Sequence, residues 1–452
     1  MGRLFGTDGA RGVANTELSC ELAMQIGRAA AMVLTKSKKS DRPKVMIGMD
    51  TRISSKMLEA AITAGLCSVG ADVLLLGVVP TPAVAYLVKS YDYDAGIMIS
   101  ASHNPCEYNG IKIFQGDGYK LPDALEDEIE DIIFDERKRP IPVVGSSVGK
   151  VESSETAIFD YVEHLKRTVQ DCDFSHTRVA LDCANGSSSI TAPELFMSLG
   201  ALCDVFSASP NGVNINDNCG STHMEQISSF VKENRGCAAG FAFDGDADRL
   251  LAVDENGDLV DGDKIIAICA KYLKDEGKLA NDTAVVTVMS NMGFFKFCEE
   301  NDIKCEKTKV GDRYVLENMR ENGNIIGGEQ SGHVIFHDYA TTGDGQVTAL
   351  QLMKIMSKTG KKLSELAAQM TKYPQVMKNV RVSAMGKARF NDDEDIKNAI
   401  ASAERELGDD GRVLVRVSGT EPLVRVMLEG SDEKLISKLC NEIAEVVELS
   451  LI

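Results

Sequence analysis

The chain has 452 residues and carries 49 basic against 68 acidic side chains, a formal net charge of −19, with 44% apolar and 26% charged residues. That apolar share excludes a disordered or fibrous protein, and the negative field excludes nucleic acid and anionic membranes as partners. An anionic substrate would therefore need a locally basic pocket.

The elements follow in chain order. Lys44 to Met49 reads as a strand ending in Asp50-Thr51-Arg52. Ser54 reads as the N-cap of a helix with Met57, Leu58, Ala61, Ile62 and Leu66 on its apolar positions, stopped by Gly70. Asp72 to Leu76 is a strand, Pro80-Thr81-Pro82 opens a short helix, and Ala95 to Ser100 is a buried strand. Leu121 to Arg139 reads as an acidic amphipathic helix. The pattern restarts with strands at Arg178 to Asp182, at Gly240 to Phe243 running into Asp244, and at Ala284 to Met289. Such strand–helix alternation predicts sheets of parallel character with covered faces, and ligands bind outside the carboxyl ends of such strands. Strands at Val376 to Ser383, Arg412 to Val417 and Val424 to Glu429, then a helix from Asp432 to Leu449, predict a small α+β domain.

No leader-like apolar segment opens the chain, no apolar run reaches about 18 residues, and twelve cysteines stand without a C-x-x-C pair. The expectation is a cytoplasmic protein with reduced thiols. A homo-oligomer is compatible with the sequence.

Four motifs carry chemistry. Ser100-Ala101-Ser102-His103-Asn104-Pro105 follows a strand, so Ser102 should present an exposed, fixed hydroxyl, as a covalent phosphoryl carrier requires. His103 reads as a poor direct base, because neighbours in an extended chain point opposite ways. In Asp244-Gly245-Asp246-Ala247-Asp248-Arg249 the three carboxylates alternate, about 7 Å apart if extended, with small residues that let the loop curl. Two such charges about 4 Å apart repel by about 4 kcal/mol at an effective dielectric of about 20, so the cluster wants a hard cation such as Mg²⁺. An EF-hand for Ca²⁺ is the alternative, but Arg249 stands where that loop requires glycine. Gly327-Gly328-Glu329-Gln330-Ser331-Gly332-His333 offers donors and acceptors for sugar hydroxyls. In Arg416-Val417-Ser418-Gly419-Thr420, with Arg425, backbone N–H groups, hydroxyls and forked cations suit phosphate. Arg11, in the Gly-rich stretch Gly6 to Gly12, is a further phosphate ligand candidate.

With these motifs in order, plus Gly311-Asp312-Arg313-Tyr314-Val315 and Asn109-Gly110-Ile111-Lys112, the sequence resembles the α-D-phosphohexomutase superfamily over essentially its whole length. The resemblance implies an α/β fold of three similar α/β domains with mixed sheets plus a smaller C-terminal α+β domain around a central cleft, divided at 1–150, 151–257, 258–370 and 371–452. It implies a phosphoryl group on Ser102, and one Mg²⁺ per chain on Asp244, Asp246, Asp248 and the seryl phosphate. Arg11, Lys112 and His333 would stabilise charge and move protons. Arg249, Gly311, Asp312, Arg313, Glu329 and Ser331 would bind substrate, and Arg416, Ser418, Gly419, Thr420 and Arg425 would hold its non-reacting phosphate. The implied reaction interconverts glucosamine 6-phosphate and glucosamine 1-phosphate through a sugar bisphosphate; priming by such a bisphosphate, or by a kinase, is compatible with the sequence. The rivals are a mutase for glucose or mannose phosphates and a phosphoserine-dependent phosphatase. A clamp for a second phosphate counts against the latter.

Overall fold

The computed structural model describes residues 4–6, 8–35, 42–418 and 422–451. The aliphatic run Lys44–Met49 lies inside a seven-stranded sheet ordered Phe5–Gly6, Gly9–Val13, Tyr108–Gln115, Ala95–Ile99, Lys44–Met49, Asp72–Val78 and Val151–Ser153. Its inner strands pair in parallel, whereas Tyr108–Gln115 pairs antiparallel with Ala95–Ile99 on one side and Gly9–Val13 on the other. Lys44–Met49 beyond its first residue, and all of Ala95–Ile99, are buried, which is why they read as unbroken apolar runs.

Ile47, Ile97, Ile99 and Ile111 share one core with Ile26, Leu58, Ile62 and Leu66 from the covering helices. Each such side chain contributes roughly 1.5–3 kcal/mol on burial. Helices Cys20–Thr35 and Ser55–Ser68 touch backbone to backbone at two glycines. A Cβ on Gly65 would lie 2.3 Å from the Met24 carbonyl oxygen, and one on Gly27 would lie 2.7 Å from that of Ile62.

The same scheme recurs twice. A second sheet is ordered Leu259–Val260, Leu250–Asp254, Ala239–Phe243, Arg178–Asp182 and Leu202–Phe206, and a third Lys304–Thr308, Thr283–Thr287, Ile326–Gly328 and Val334–Phe336. Both pair parallel strands in the middle and add an antiparallel return on one side. The last sheet is wholly antiparallel, Gln375–Arg381, Leu423–Gly430 and Gly411–Val417. Its core takes in Ile396, Leu407, Ile436, Leu439, Ile443 and Val447 from the helices Glu394–Leu407 and Glu433–Leu451. The fold is thus three α/β domains with mixed sheets and a smaller C-terminal α+β domain.

By contacts the chain forms two compact units, Met1–Met289 with Ile303–Ala368, and Ser290–Asp302 with Gln369–Ile452. Residues 290–302 join the second unit through specific bonds. Asn291 donates to the Tyr373 carbonyl (3.0 Å), the Met292 N–H donates to Glu429 (2.9 Å), and Arg412 donates to the Ser290 carbonyl (2.6 Å). A division of the sequence into contiguous domains does not capture this exchange.

Two local readings change. The helix expected over 121–139 is Asp123–Phe134 followed by a separate turn, Glu136–Lys138. Pro122 can only precede the first turn, and Asp135 leaves helical geometry to accept from the Arg137 N–H. Ser54 does precede its helix but makes no side-chain cap; its hydroxyl accepts from Asn109 instead (2.9 Å). All twelve cysteines are free thiols, and among the described residues no helix is long and apolar enough to cross a membrane.

Asp344 shows how burial sets a pH dependence. It caps helix Gly345–Thr359, accepting from the Gln346 and Val347 N–H groups (2.9 and 3.0 Å) and from the Tyr161 hydroxyl (2.7 Å). Burial nonetheless pushes its carboxyl from 3.8 up to about 6. An acid raised in the folded state stabilises fully below its unfolded pKa and loses that contribution as pH rises through its folded one. Asparagine keeps the cap without the charge. Asp344→Asn should therefore match wild type in thermal melts near pH 4 and exceed it near pH 8, by at most about 3 kcal/mol. A variant that loses ground to wild type as pH rises would contradict this account.

Candidate active site

Ser102 follows strand Ala95–Ile99, and Asp244 follows strand Ala239–Phe243. The Ser102 hydroxyl donates to Asp244 Oδ2 at 2.6 Å. Ala247, with φ of +57°, turns the acidic loop back on itself, and its N–H donates to the Asp244 carbonyl (3.0 Å). One carboxylate oxygen from each of Asp244, Asp246 and Asp248 then lies within 4.8 Å of the others. Gly245 is needed for close approach: a Cβ there would sit 2.7 Å from the Ser102 carbonyl oxygen.

Lys112, on strand Tyr108–Gln115, puts its ammonium among these carboxylates. Its Nζ lies 2.8 Å from Asp246 Oδ2, 3.0 Å from Asp248 Oδ2 and 3.2 Å from Asp8 Oδ2. Thr81 donates its hydroxyl to Asp246 Oδ2 (2.6 Å) and its N–H to the Asp246 carbonyl (2.9 Å). Among the described residues Asp246 Oδ1 and Asp248 Oδ1 stay buried with no hydrogen-bond partner. Buried anionic oxygens without donors are costly unless a cation meets them. Together with an all-oxygen donor set, they fit a hard divalent ion.

A second network adjoins the first. Lys120 bridges Asp8 Oδ1 and Asp312 Oδ2, each at 2.6 Å. His333 Nε2 lies 3.6 Å from Asp312 and 3.9 Å from Asp248, and both its ring nitrogens lack hydrogen-bond partners among the described residues. Arg11 pairs with Asp8, and Arg249 Nε is 3.9 Å from Asp248 while its N–H donates to Asp244 Oδ1 (3.2 Å). Glu329 accepts from the Gly311 N–H (3.2 Å).

The electrostatics follow from burial against neighbours. Burial, then the charges of Asp248 and Asp246, holds the Asp244 carboxyl well above the usual range. Asp248 is buried too, but Lys112 and His333 outweigh burial and bring it to about 2. For Lys112, burial is overcome by Asp246, Asp248 and Asp8, so its ammonium is held well above its ordinary value. Lys120 is pushed up to about 12, Asp312 and Asp8 outweighing its burial. His103 falls to about 4 through burial, with Arg249 and Arg11 adding to the effect.

In the C-terminal unit Arg416 and Arg425 face each other directly across paired strands. Like charges opposite one another destabilise a sheet pair. Burial, then Arg425, lowers the Arg416 pKa, and Arg416 Nε is buried without a hydrogen-bond partner among the described residues. An anion between the two would relieve both strains. Ser418 is buried at the end of the strand, its N–H donating to the Leu423 carbonyl (2.9 Å). Gly419 and Thr420 lie outside the described residues.

Several expectations need correction. Ser102 is not exposed; it is 1% accessible, because the acidic loop closes over its own. Nor is its loop extended. Ser102 has φ of +53°, so the His103 ring turns back and Nδ1 comes to 3.4 Å from Oγ. Arg11, in the Gly-rich stretch, stands on strand Gly9–Val13. Arg313 does not face the cluster: its guanidinium is taken up by Asp123, Glu126 and the Leu121 carbonyl. Ser331 needs no such correction: it is exposed on the turn between Ile326–Gly328 and Val334–Phe336 and stays open to a ligand.

Sequence reasoning missed Asp8, Thr81 and Lys120 as members of the networks, and Arg52 and Asn216 beside them. Asp8 sat inside a quoted motif, and Arg52 at the carboxyl end of a strand, a position that favours ligands. Lys120 and Asn216 gave no local signal.

Comparison with known proteins agrees with this geometry. Four phosphoglucomutase/phosphomannomutase domain families match in order: α/β/α domain I at residues 2–140, domain II at 159–257, domain III at 261–373 and the C-terminal domain at 377–446. The phosphoglucosamine mutase of Caldanaerobacter subterraneus subsp. tengcongensis is 55% identical over 451 residues, covering 100% of both chains. Among solved structures, a phosphoglucomutase/phosphomannomutase family protein of Burkholderia thailandensis superposes with a TM-score of 0.81 at 23% identity, covering 100% of this chain and 98% of the other. The N-acetylphosphoglucosamine mutase of Aspergillus fumigatus, solved with GlcNAc-6P and magnesium, gives 0.73 at 18% identity, covering 100% and 96%. From its amino-terminal α/β domain to its last sheet, the chain belongs to the phosphoglucomutase/phosphomannomutase family.

Proposed function

We propose that the protein is a phosphohexose mutase that interconverts glucosamine 6-phosphate and glucosamine 1-phosphate. The observation that carries the chemistry is the Ser102 hydroxyl, held 2.6 Å from an aspartate of a buried three-carboxylate loop. The amino-sugar substrate is supported by full-length similarity to a phosphoglucosamine mutase at 55% identity.

In the forward half-reaction a phosphoryl group on Ser102 passes to the substrate's O1. The Oγ–P bond breaks as the O1–P bond forms; the O1 proton goes to a nearby base, and the leaving Ser102 Oγ takes up a proton from the site. His333, buried with both ring nitrogens unpartnered among the described residues, is the acceptor we propose. The resulting 1,6-bisphosphate turns over and presents its other end. The O6–P bond then breaks as Ser102 Oγ–P re-forms; the Ser102 proton is taken up by the site and O6 is protonated. Lys112 and Arg11 neutralise the transferring group's charge.

Asp244, Asp246 and Asp248, with the seryl phosphate, would hold one Mg²⁺, which would supply charge neutralisation at the phosphoryl oxygens. Glu329 and Ser331 would meet sugar hydroxyls beside Arg249, Gly311 and Asp312. Arg416, Ser418 and Arg425 would take the distal phosphate. The carboxylates Asp8, Asp244, Asp246, Asp248, Asp312 and Glu329 outnumber the cations Lys112, Lys120, Arg11 and Arg249, so an added cation also suits the site's balance.

The test compares kcat/KM for glucosamine, glucose and mannose 6-phosphates. The amino sugar should win by at least about ten-fold, a difference of about 1.4 kcal/mol in transition-state binding. A stronger preference for glucose or mannose rejects the substrate, and phosphate release exceeding isomerisation rejects the mutase.

A further inference from the structure

The φ of +53° at Ser102 places a non-glycine residue where its Cβ is crowded. Such a conformation persists only where surroundings impose it. At Ser102 they do so through a buried ion pair from the loop after strand Lys44–Met49. The Arg52 side chain is 0% accessible, as is that of its partner Asp50. Arg52 Nη2 donates to the carbonyls of Ser102 and Asn104, both at 2.9 Å, and Nη1 donates to that of Pro105 at 2.5 Å. Its Nε donates to Asp50 Oδ2 at 2.8 Å. The same Asp50 oxygen accepts from the Ser100 hydroxyl (2.7 Å), whose oxygen accepts from the Ser102 N–H (2.9 Å).

The N–H and the carbonyl of Ser102 therefore both lead back to the Asp50–Arg52 pair. Asn216, from the second α/β domain, donates to the same two carbonyls, Ser102 (2.9 Å) and Asn104 (3.1 Å). A buried ion pair adds little net stability over apolar side chains of similar volume. A planar, forked cation does fix direction, and this one spends its donors on a single loop and on Asp50.

We propose that Arg52 is a positioning residue for phosphoryl transfer, locking the Ser102 loop in the left-handed turn that aims Oγ at the acidic cluster. Its catalytic part rests on the mutase reading above. Arg52→Lys keeps the charge and loses the fork. Misplacing a reacting group by about 1 Å costs about 10²-fold, so kcat should fall by about that factor with KM within about two-fold of wild type. Asn216→Ala, removing one of two supports, should lower kcat by about ten-fold. In hydrogen–deuterium exchange of the full-length protein, the amides of residues 102–104 and 106 should exchange faster in both variants while strand Ala95–Ile99 keeps its protection.

A folded Arg52→Lys with kcat within about two-fold of wild type overturns the proposal. So does a loss that falls on KM with kcat intact, or an exchange pattern unchanged over 102–106. If Arg52→Lys does not fold, Asn216→Ala decides by the same readouts. A wild-type protein without turnover on hexose phosphates would sink the mutase reading instead, and the exchange data would still decide whether Arg52 holds the loop.

Discussion

Ser102→Ala should abolish turnover, with kcat down by more than about 10⁴-fold, because no neighbouring hydroxyl can replace a covalent carrier. The intact mass should report the same loss in a second way. A phosphorylated wild-type fraction is heavier by about 80 Da, one phosphoryl group, and the variant should lack that species altogether. The fold should survive. The substitution removes the donor to Asp244 Oδ2, and an unsatisfied buried acceptor costs about 1–3 kcal/mol. A variant that still isomerises hexose phosphates at a rate near wild type would remove Ser102 from the reaction.

Lys112→Met should have the largest combined effect on stability and activity. The ammonium is 1% accessible and contacts Asp246, Asp248 and Asp8. Removing one partner of a buried ion pair costs about 3–5 kcal/mol, because the remaining charges stay buried and uncompensated. Without added metal we therefore expect the melting temperature to drop by several degrees. Mg²⁺ should then raise the melting temperature of the variant more than that of wild type. Losing a neighbouring positive charge strengthens the pull of the carboxylates on a cation, and binding to the folded state stabilises by mass action. Turnover should still be lost, since the metal cannot replace a lysine that faces the transferring group. Equal metal-induced shifts in both proteins would show that Lys112 and the ion do not share these carboxylates.

The fold was legible wherever hydrophobic period and local chemistry agreed. Lys44–Met49 and Arg178–Asp182 have the predicted bounds, and the other strands differ by a residue or two at their ends. Apolar runs bounded by Gly, Pro or Asp leave few alternatives in an α/β chain. The helix over 121–139 was read too long because amphipathic period alone does not register a proline at its entry or an aspartate that caps the next turn.

The site was legible in part. Ser102 and the three aspartates stand in short motifs whose residue types and spacing already imply chemistry. Burial was read wrongly at Ser102, and the direction of His103 was read wrongly because a left-handed residue reverses the alternation of an extended chain. Arg313 carried the right residue type in the right motif yet turns toward Asp123 and Glu126, from another domain. Nothing within a few residues of 313 announces that partner.

Composition, strand ends and motif order by themselves determined the class of fold, the seryl hydroxyl and the acidic loop, since these depend on neighbours close in the chain. The tertiary structure alone decided which charges meet: Lys112 with Asp8, Asp246 and Asp248, Lys120 with Asp8 and Asp312, and Arg52 and Asn216 on the carbonyl of Ser102. Those pairings join residues up to 192 positions apart. Charge attraction and hydrogen bonding act over a few ångströms in space, whatever the separation along the chain, so they appear only once the sheets have packed.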